Sequence, residues 1–214
     1  MSHPKVAQAD HEILDLIRQR WSPRAFAADR PVARVDLLRL FEAARWAASS
    51  FNEQPWRFVV AERDTSEEAH AALFASLRGH NQAWAGAAPV LVLVAVKAWH
   101  EKLDAEYSHA WYDTGQAVSL LTLQATAQRL AVRQVQGFDP EVARAACAVP
   151  PDFTPAVVMA IGYLGDPGSL EKESHRVADL KPRERLPVPA FVFDGVWGNP
   201  AGAEPATETE EGLS

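Results

Sequence analysis

Two arginines and a hydroxyl fall within five residues in RWSPR, from Arg20 to Arg24. A guanidinium presents a planar fork of donors that matches phosphate oxygens, so Arg20, Ser22 and Arg24 could cradle a phosphate. Alternatively, Arg20 caps the negative end of a helix while Arg24 is solvated. A second group lies in SSFNEQPW, where Ser49, Ser50, Asn52 and Gln54 separate an Ala- and Leu-rich pattern from an apolar run. Helix termination at Ser49-Ser50 and a left-handed Asn52 account for most of these polar groups, but not for Gln54 directly before Pro55. Amides and hydroxyls in that number could read the carbonyls and nitrogens of a planar ligand. In VRQVQGFD, Gly137 either lets backbone N–H groups approach a ligand or serves only as a turn before Asp139-Pro140. In LKPRERLPVP, Lys181 and Arg183 share a face of an extended chain, unless the run is simply solvated.

Signatures of several other chemistries do not occur. There is no G-x-S-x-G elbow, no G-x-x-x-x-G-K-[ST] and no G-x-G-x-x-G after a strand. The seven histidines show no H-E-x-x-H or close pairing, and the single cysteine, Cys147, excludes an internal disulfide framework and a multi-thiolate metal site. A formal net charge of −7 without a dense basic cluster argues against nucleic-acid binding. The longest apolar stretch, AWAGAAPVLVLVAV, contains Gly and Pro and falls short of the ~20 residues of a membrane span. The first residues lack the basic-then-apolar pattern of a signal peptide, so a soluble, cytoplasmic protein is expected.

The candidate residues need elements to position them. Asp10 is read as the N-cap of a helix to about Arg20, with Ile13, Leu14 and Ile17 on one face. Helical spacing recurs from about Val35 to Ala48, from Glu67 to Leu77, and from about Tyr107 to Leu130. WRFVVAE reads as a strand, and PVLVLVAVKA and PAVVMAIGYLG read as strands buried on both faces. The short VRQV precedes Gly137, and Asp139-Pro140 opens a short helix. After Pro167 an extended, charged segment leads to one more strand candidate, AFVFDG, and then to an acidic tail read as disordered. At 214 residues, with 48% hydrophobic and 23% charged residues, this is one α/β-type or α+β domain around one sheet.

Taken in order, the pieces resemble the nitroreductase family of FMN-dependent oxidoreductases. The match runs through R-x-S-x-R, A-x-S-S-x-N-x-Q-P-W-x-F, Asn81 before a Pro89-led strand, G-F-D, A-I-G-Y, K-x-R, and Trp197-Gly198. The resemblance implies an α+β, three-layer α/β/α sandwich whose central mixed sheet is extended by the partner's C-terminal strand. It implies a homodimer with FMN at the subunit interface and NAD(P)H as electron donor. Residues 1–200 would then be one FMN-binding domain with an arm from about 181 to 200 reaching the partner, and 201–214 the tail. FMN-binding positions would be Arg20, Trp21, Ser22, Arg24, Ser49, Ser50, Asn52, Gln54, Asn81, Gln136, Gly137, Lys181 and Arg183. Ser49, Ser50 and Asn52 would approach the flavin from the partner subunit, while the backbone at Gln136 and Gly137 would address its N5/O4 edge. No acid–base side chain is implied, because flavin N5 carries the chemistry.

The implied reaction is hydride transfer from NAD(P)H through N5 to a small electrophile such as a nitroaromatic or quinone. The alternatives are a specialised oxidase, dehydrogenase or dehalogenase-type member, or a non-catalytic flavin-binding protein. Three departures from the family pattern stand out. Gln128-Arg129-Leu130 replaces a Gly-rich helix end, Gln136 replaces a glutamate found in some members, and Trp84 replaces a basic residue. With Trp84, either one flavin-directed charge is missing and Arg24 carries the task, or the indole simply packs under the next strand. Trp99, Tyr107 and Trp111 are candidates for the acceptor pocket, with ordinary packing as the alternative.

Overall fold

The computed structural model describes residues 5–100 and 103–202. In chain order the elements are α1 (Asp15–Gln19), α2 (Arg34–Arg45), β1 (Trp56–Glu62), α3 (Glu67–Ala75), α4 (Gly79–Ala85), β2 (Val90–Lys97), the short pair β3 (Trp99–His100) and β4 (Ala105–Glu106), α5 (Ala110–Ala127), β5 (Leu130–Val135), α6 (Pro140–Ala146), β6 (Phe153–Tyr163) and α7 (Glu173–Leu180). The chain divides into a main unit, Met1–Pro182, and an arm, Arg183–Ser214.

In β2, alternate side chains point to opposite faces of the sheet. Leu91, Leu93 and Ala95 enter one core with residues of α3, α4 and α6, while Val90, Val92 and Val94 enter a second core with α2 and α5. Neighbouring β6 divides likewise, with Val158 and Ala160 on one side and Met159 and Ile161 on the other. Helices therefore cover both faces of the sheet, giving three layers. A side chain as completely buried as Leu91 or Leu93 contributes roughly 1.5–3 kcal/mol by leaving water. On the second face, α2 docks through Leu37, Leu40 and Ala44 at helical spacing. There α5 presents Ala117, Val118, Leu121 and Ala125, whose two alanines permit close approach.

The sheet order is β1-β2-β6-β5, and every pairing is antiparallel. The expected mixed character is therefore not present: all three pairings of this sheet are antiparallel. The first helix is shorter than expected: it starts at Asp15, buries none of its residues, and leaves Ile13, Leu14 and Ile17 exposed. Two helices escaped the sequence reading, α4 and α7. The AFVFDG segment is not a strand. The chain makes a 3-10 turn over Val188–Ala190 and a single bridge between Phe193 and Pro200. Pro187 and Pro189 lack N–H donors, and an extended segment is stabilised only by a pairing partner. The acidic tail from 203 onward lies outside the described residues, and among the described ones no helix is long and apolar enough to cross a membrane.

Candidate functional site

The RWSPR segment is fastened to the end of β6. The Gly165 N–H donates to the Ala25 carbonyl at 3.0 Å, and the Ala27 N–H to the Tyr163 carbonyl at 3.0 Å. A Cβ at Gly165 would lie 2.5 Å from the Phe26 carbonyl group, so this crossing requires glycine. From the other side, α7 contributes Asp179, only 1% exposed. Its carboxylate accepts from the Arg24 N–H at 2.7 Å, the Ala25 N–H at 3.1 Å and the Arg24 guanidinium at 3.2 Å. Arg24 is thus paired rather than solvated. Arg20 donates to the Ser22 hydroxyl at 3.3 Å, and the Lys5 ammonium lies 5.5 Å from the Trp21 ring. Arg20 and Trp21 line a cavity of about 490 Å³ with Lys5, Arg18 and Arg129.

A third guanidinium joins this corner from β5. Arg133 donates to the Ser22 carbonyl at 2.6 Å and lies over the Trp84 ring, 5.1 Å from its centre. Such a cation–aromatic contact contributes on the order of 0.5–2 kcal/mol. Trp84 itself is 3% exposed and stacks on Phe26 at 6.3 Å, so the indole is packed into the core. Burial, followed by repulsion from Arg24, pulls the Arg133 pKa down to about 10, with Asp179 opposing. His175 faces the same charges. Burial first, then Arg24, Lys172 and Arg133, push its pKa below the ordinary histidine value, against the pull of Asp179. Its Nδ1 is buried without a hydrogen-bond partner.

Asn81 and Gly137 meet as a pair. The Gly137 carbonyl accepts from the Asn81 carboxamide at 3.0 Å and from the Arg78 N–H at 2.9 Å. A Cβ at Gly137 would fall 2.6 Å from Asn81 Nδ2, so close approach dictates this glycine. Gln136, one residue earlier, is exposed. Because α4 carries both Asn81 and Trp84 while β5 carries Arg133 and leads into Gly137, these two elements join the pair to the cationic corner.

The Ser49–Gln54 loop stands apart, and no residue of it lines the cavities that open on Arg20 or Arg24. Three non-glycine departures mark it: Phe51, Asn52 and Gln54 have φ of 52°, 57° and 48°. The left-handed Asn52 was legible in the sequence, whereas Phe51 and Gln54 are unusual there and cost on the order of 1 kcal/mol or more each. Buried Asp113 on α5 holds the loop, accepting from the Ser50 N–H at 2.9 Å and from the Tyr107 hydroxyl, which also lies 3.2 Å from the Ser50 carbonyl. Desolvation, then Asp113, push the Tyr107 pKa up to about 12, so it remains a donor. Two of the four polar side chains are used locally: the Ser49 hydroxyl accepts from the Gln54 N–H at 3.1 Å, and the Gln54 amide donates to the Asn52 carbonyl at 3.2 Å. Tyr107 is consequently a fastening residue, not a pocket wall, while Trp99 and Trp111 are about half exposed. Lys181 is the penultimate residue of the main unit and Arg183 opens the arm.

The sequence reading missed Asp179, Arg133, His175, Asp113 and the role of Tyr107. Only a three-dimensional arrangement pairs them, 155 residues apart for Arg24 and Asp179 and 63 for Ser50 and Asp113.

Buried His70, bonded to the Ala88 carbonyl at 3.1 Å, and half-buried His175 both have lowered pKa values, desolvation being the first cause in each. The unfolded chain therefore takes up protons first as pH falls below about 6.5, the ordinary value. Their stabilising contribution is complete above that pH and is lost as pH falls toward the folded-state values. The urea midpoint of flavin-free protein is expected to drop between about pH 7.5 and 5.5. His70→Gln should flatten that slope; an equally steep slope in the variant would contradict the assignment.

The chain is thus a three-layer α+β sandwich with Arg24 and Arg133 gathered at one corner and the polar Ser49–Gln54 loop apart from it. The nitroreductase family model matches residues 17–163, and the chain belongs to the nitroreductase family. It is 36% identical over 149 residues to an uncharacterized 15.4 kDa protein of Mycolicibacterium smegmatis, covering 67% of this chain and 99% of that protein. It is 33% identical over 181 residues to a Xanthomonas oryzae pv. oryzae protein provisionally named NADH dehydrogenase/NAD(P)H nitroreductase, covering 76% and 90%. Among solved structures, one described as an oxidoreductase containing FMN superposes with a TM-score of 0.84 at 29% identity, covering 93% of this chain and all of that one.

Proposed function

We propose that this chain moves a hydride from NAD(P)H through bound FMN to a small electrophilic acceptor such as a nitroaromatic or quinone, as a homodimer with FMN between the subunits. The coarser statement rests on the relatives: the protein is an FMN-dependent NAD(P)H oxidoreductase. The observation that carries the finer reading is the corner in which Asp179 pairs with Arg24 while Arg133 stands nearby without a carboxylate partner among the described residues, with the orphaned Nδ1 of His175 beside them. Two half-buried guanidinium groups, of which only Arg24 pairs with Asp179, would leave a cationic site that an anionic ligand completes.

These residues fit FMN. Arg20 and Ser22, with Lys181 and Arg183, are suited to the phosphate, and Trp21 extends that side. The close approach at Gly137, fixed by Asn81, leaves the backbone at Gln136 and Gly137 accessible to a planar edge. Ser50 and Asn52 have side chains that make no hydrogen bond among the described residues, while Ser49 and Gln54 hold their loop in shape. When bound, FMN supplies a ring that accepts hydride from the nicotinamide and delivers it to the acceptor. The chain's own contribution is placement and charge, and no side chain is assigned as acid or base.

The dimer explains what one chain leaves incomplete. The outer face of α5 exposes Trp111, Tyr112 and Leu120, which with Ala47 and Ala48 line a groove of about 500 Å³. Exposed apolar area of this kind marks an interaction surface. A partner seated there would bring its Ser49–Gln54 loop toward the cationic corner that the same loop does not reach in its own chain.

Purified protein is expected to release FMN rather than FAD on denaturation, and steady-state double-reciprocal lines should be parallel, as donor and acceptor occupy one ring face in turn. Released FAD, or intersecting lines together with a demonstrated ternary complex, would overturn the reading.

A further inference from the structure

We propose that Arg133 is the residue that discriminates reduced from oxidised FMN in this protein, with Trp84 as the platform that aims it. This rests on the FMN-binding reading above.

Several observations converge on Arg133 rather than Arg24. Both the main-chain N–H and the side chain of Arg24 are committed to Asp179, so its charge is offset by a buried carboxylate at 3.2 Å. Arg133 has no carboxylate partner among the described residues. Its single hydrogen bond goes to a neutral acceptor, the Ser22 carbonyl at 2.6 Å. The remaining contact is the face of Trp84, which orients a guanidinium without neutralising it. Trp84 in turn cannot drift, because it is buried against Phe26 in the core under the sheet. The depressed proton affinity of Arg133 agrees with an uncompensated cation facing a second one.

The position follows from the two elements already joined. Arg133 is four residues before Gly137 on the β5 segment, and Trp84 is three residues after Asn81 on α4, while Asn81 and Gly137 are themselves bonded. An uncompensated guanidinium therefore stands at the same corner as the Asn81–Gly137 edge. The charge reaches this corner from β5, over the face of the Trp84 indole.

Above neutral pH the ring system of reduced FMN carries one more negative charge than that of oxidised FMN. A fixed cation beside it strengthens binding of the reduced form relative to the oxidised one, whereas a cation that serves only the phosphate strengthens both equally. The difference is read as the midpoint potential of bound flavin.

The test uses the FMN-loaded protein with Arg133→Gln and Arg133→His, titrated anaerobically against redox dyes beside the parent. In Arg133→Gln, the affinity ratio of reduced to oxidised FMN is expected to fall at least tenfold, which for a two-electron couple is a potential lower by about 30 mV. In Arg133→His, the gap from the parent should be small at low pH and open as the pH rises through the imidazole's titration, because only the protonated ring replaces the guanidinium. A structural role alone would lower the thermal stability of the FMN-free protein and leave both the potential and its pH dependence parallel to the parent; that result would overturn the proposal. A parent protein that takes up no FMN would instead remove the reading on which it rests.

Discussion

Asp179→Ala is expected to lower the melting temperature of the FMN-free protein by roughly 6–12 °C. The carboxylate is 1% exposed and satisfies two backbone N–H groups and one guanidinium. Removing one side of a buried ion pair leaves the other charge and its donors without acceptors, a loss of about 3 kcal/mol or more. In a chain of this size, 1 kcal/mol moves the midpoint by about 2–4 °C. Asp179→Asn should cost less, because the amide oxygen still accepts from the backbone. It also removes the carboxylate charge paired with Arg24, so FMN should restore stability to this variant by a larger increment than to the parent. Differential scanning calorimetry with and without FMN measures both effects. A midpoint for Asp179→Ala within 2 °C of the parent, well inside the ~6 °C lower bound, would show that α7 does not hold the RWSPR segment.

Ending the chain at Arg185 is expected to dissociate the dimer and strip FMN, although Lys181 and Arg183 remain. A dimer built on the α1 and α5 faces and on the arm should bury well over the ~1,600 Å² of a standard interface. Loss of the arm would remove the segment whose apolar residues Phe191, Val192 and Val196 are exposed, having no cover among the described residues. Ending the chain at Pro200 should change neither assembly nor flavin content, since it removes only the acidic tail. Sedimentation velocity together with flavin absorbance decides the matter. A chain truncated at Arg185 that sediments as a flavin-loaded dimer would contradict the role given to the arm.

How much of this was legible in the sequence depended on what anchors each element. The strands β2 and β6 were readable because their central residues face a core on both sides of the sheet, which leaves a long apolar run. The helix α7 was not, since its one buried residue is a carboxylate, Asp179, and a search for apolar stripes has nothing to find. The short α4 was missed for a related reason: it begins at a glycine, and one of its three buried residues is Asn81. For α1 the apolar spacing was read correctly, but its face is uncovered in one chain and the helix is shorter than the pattern. AFVFDG carries a strand-like composition, but no strand pairs with it among the described residues. Among the site residues, the RWSPR cluster and the Ser49–Gln54 loop stood out by composition. Arg133 looked like one polar position in a short strand, and nothing local signals that its guanidinium would rest on Trp84, 49 positions earlier in the chain. Likewise, the strained geometry at Phe51 and Gln54 becomes intelligible only once Asp113 and Tyr107 are seen to hold Ser50 in place.

The account's central claim is that this cationic corner and polar loop serve a flavin that exchanges hydride with a nicotinamide. Anaerobic stopped-flow mixing of the FMN-loaded protein with NADH and, separately, NADPH tests it most directly. The account predicts that at least one nicotinamide bleaches the flavin's visible absorption completely within the time of one steady-state turnover, and that adding a quinone or nitroaromatic restores it. A flavin left oxidised by both nicotinamides, or reduced far more slowly than turnover, would contradict it.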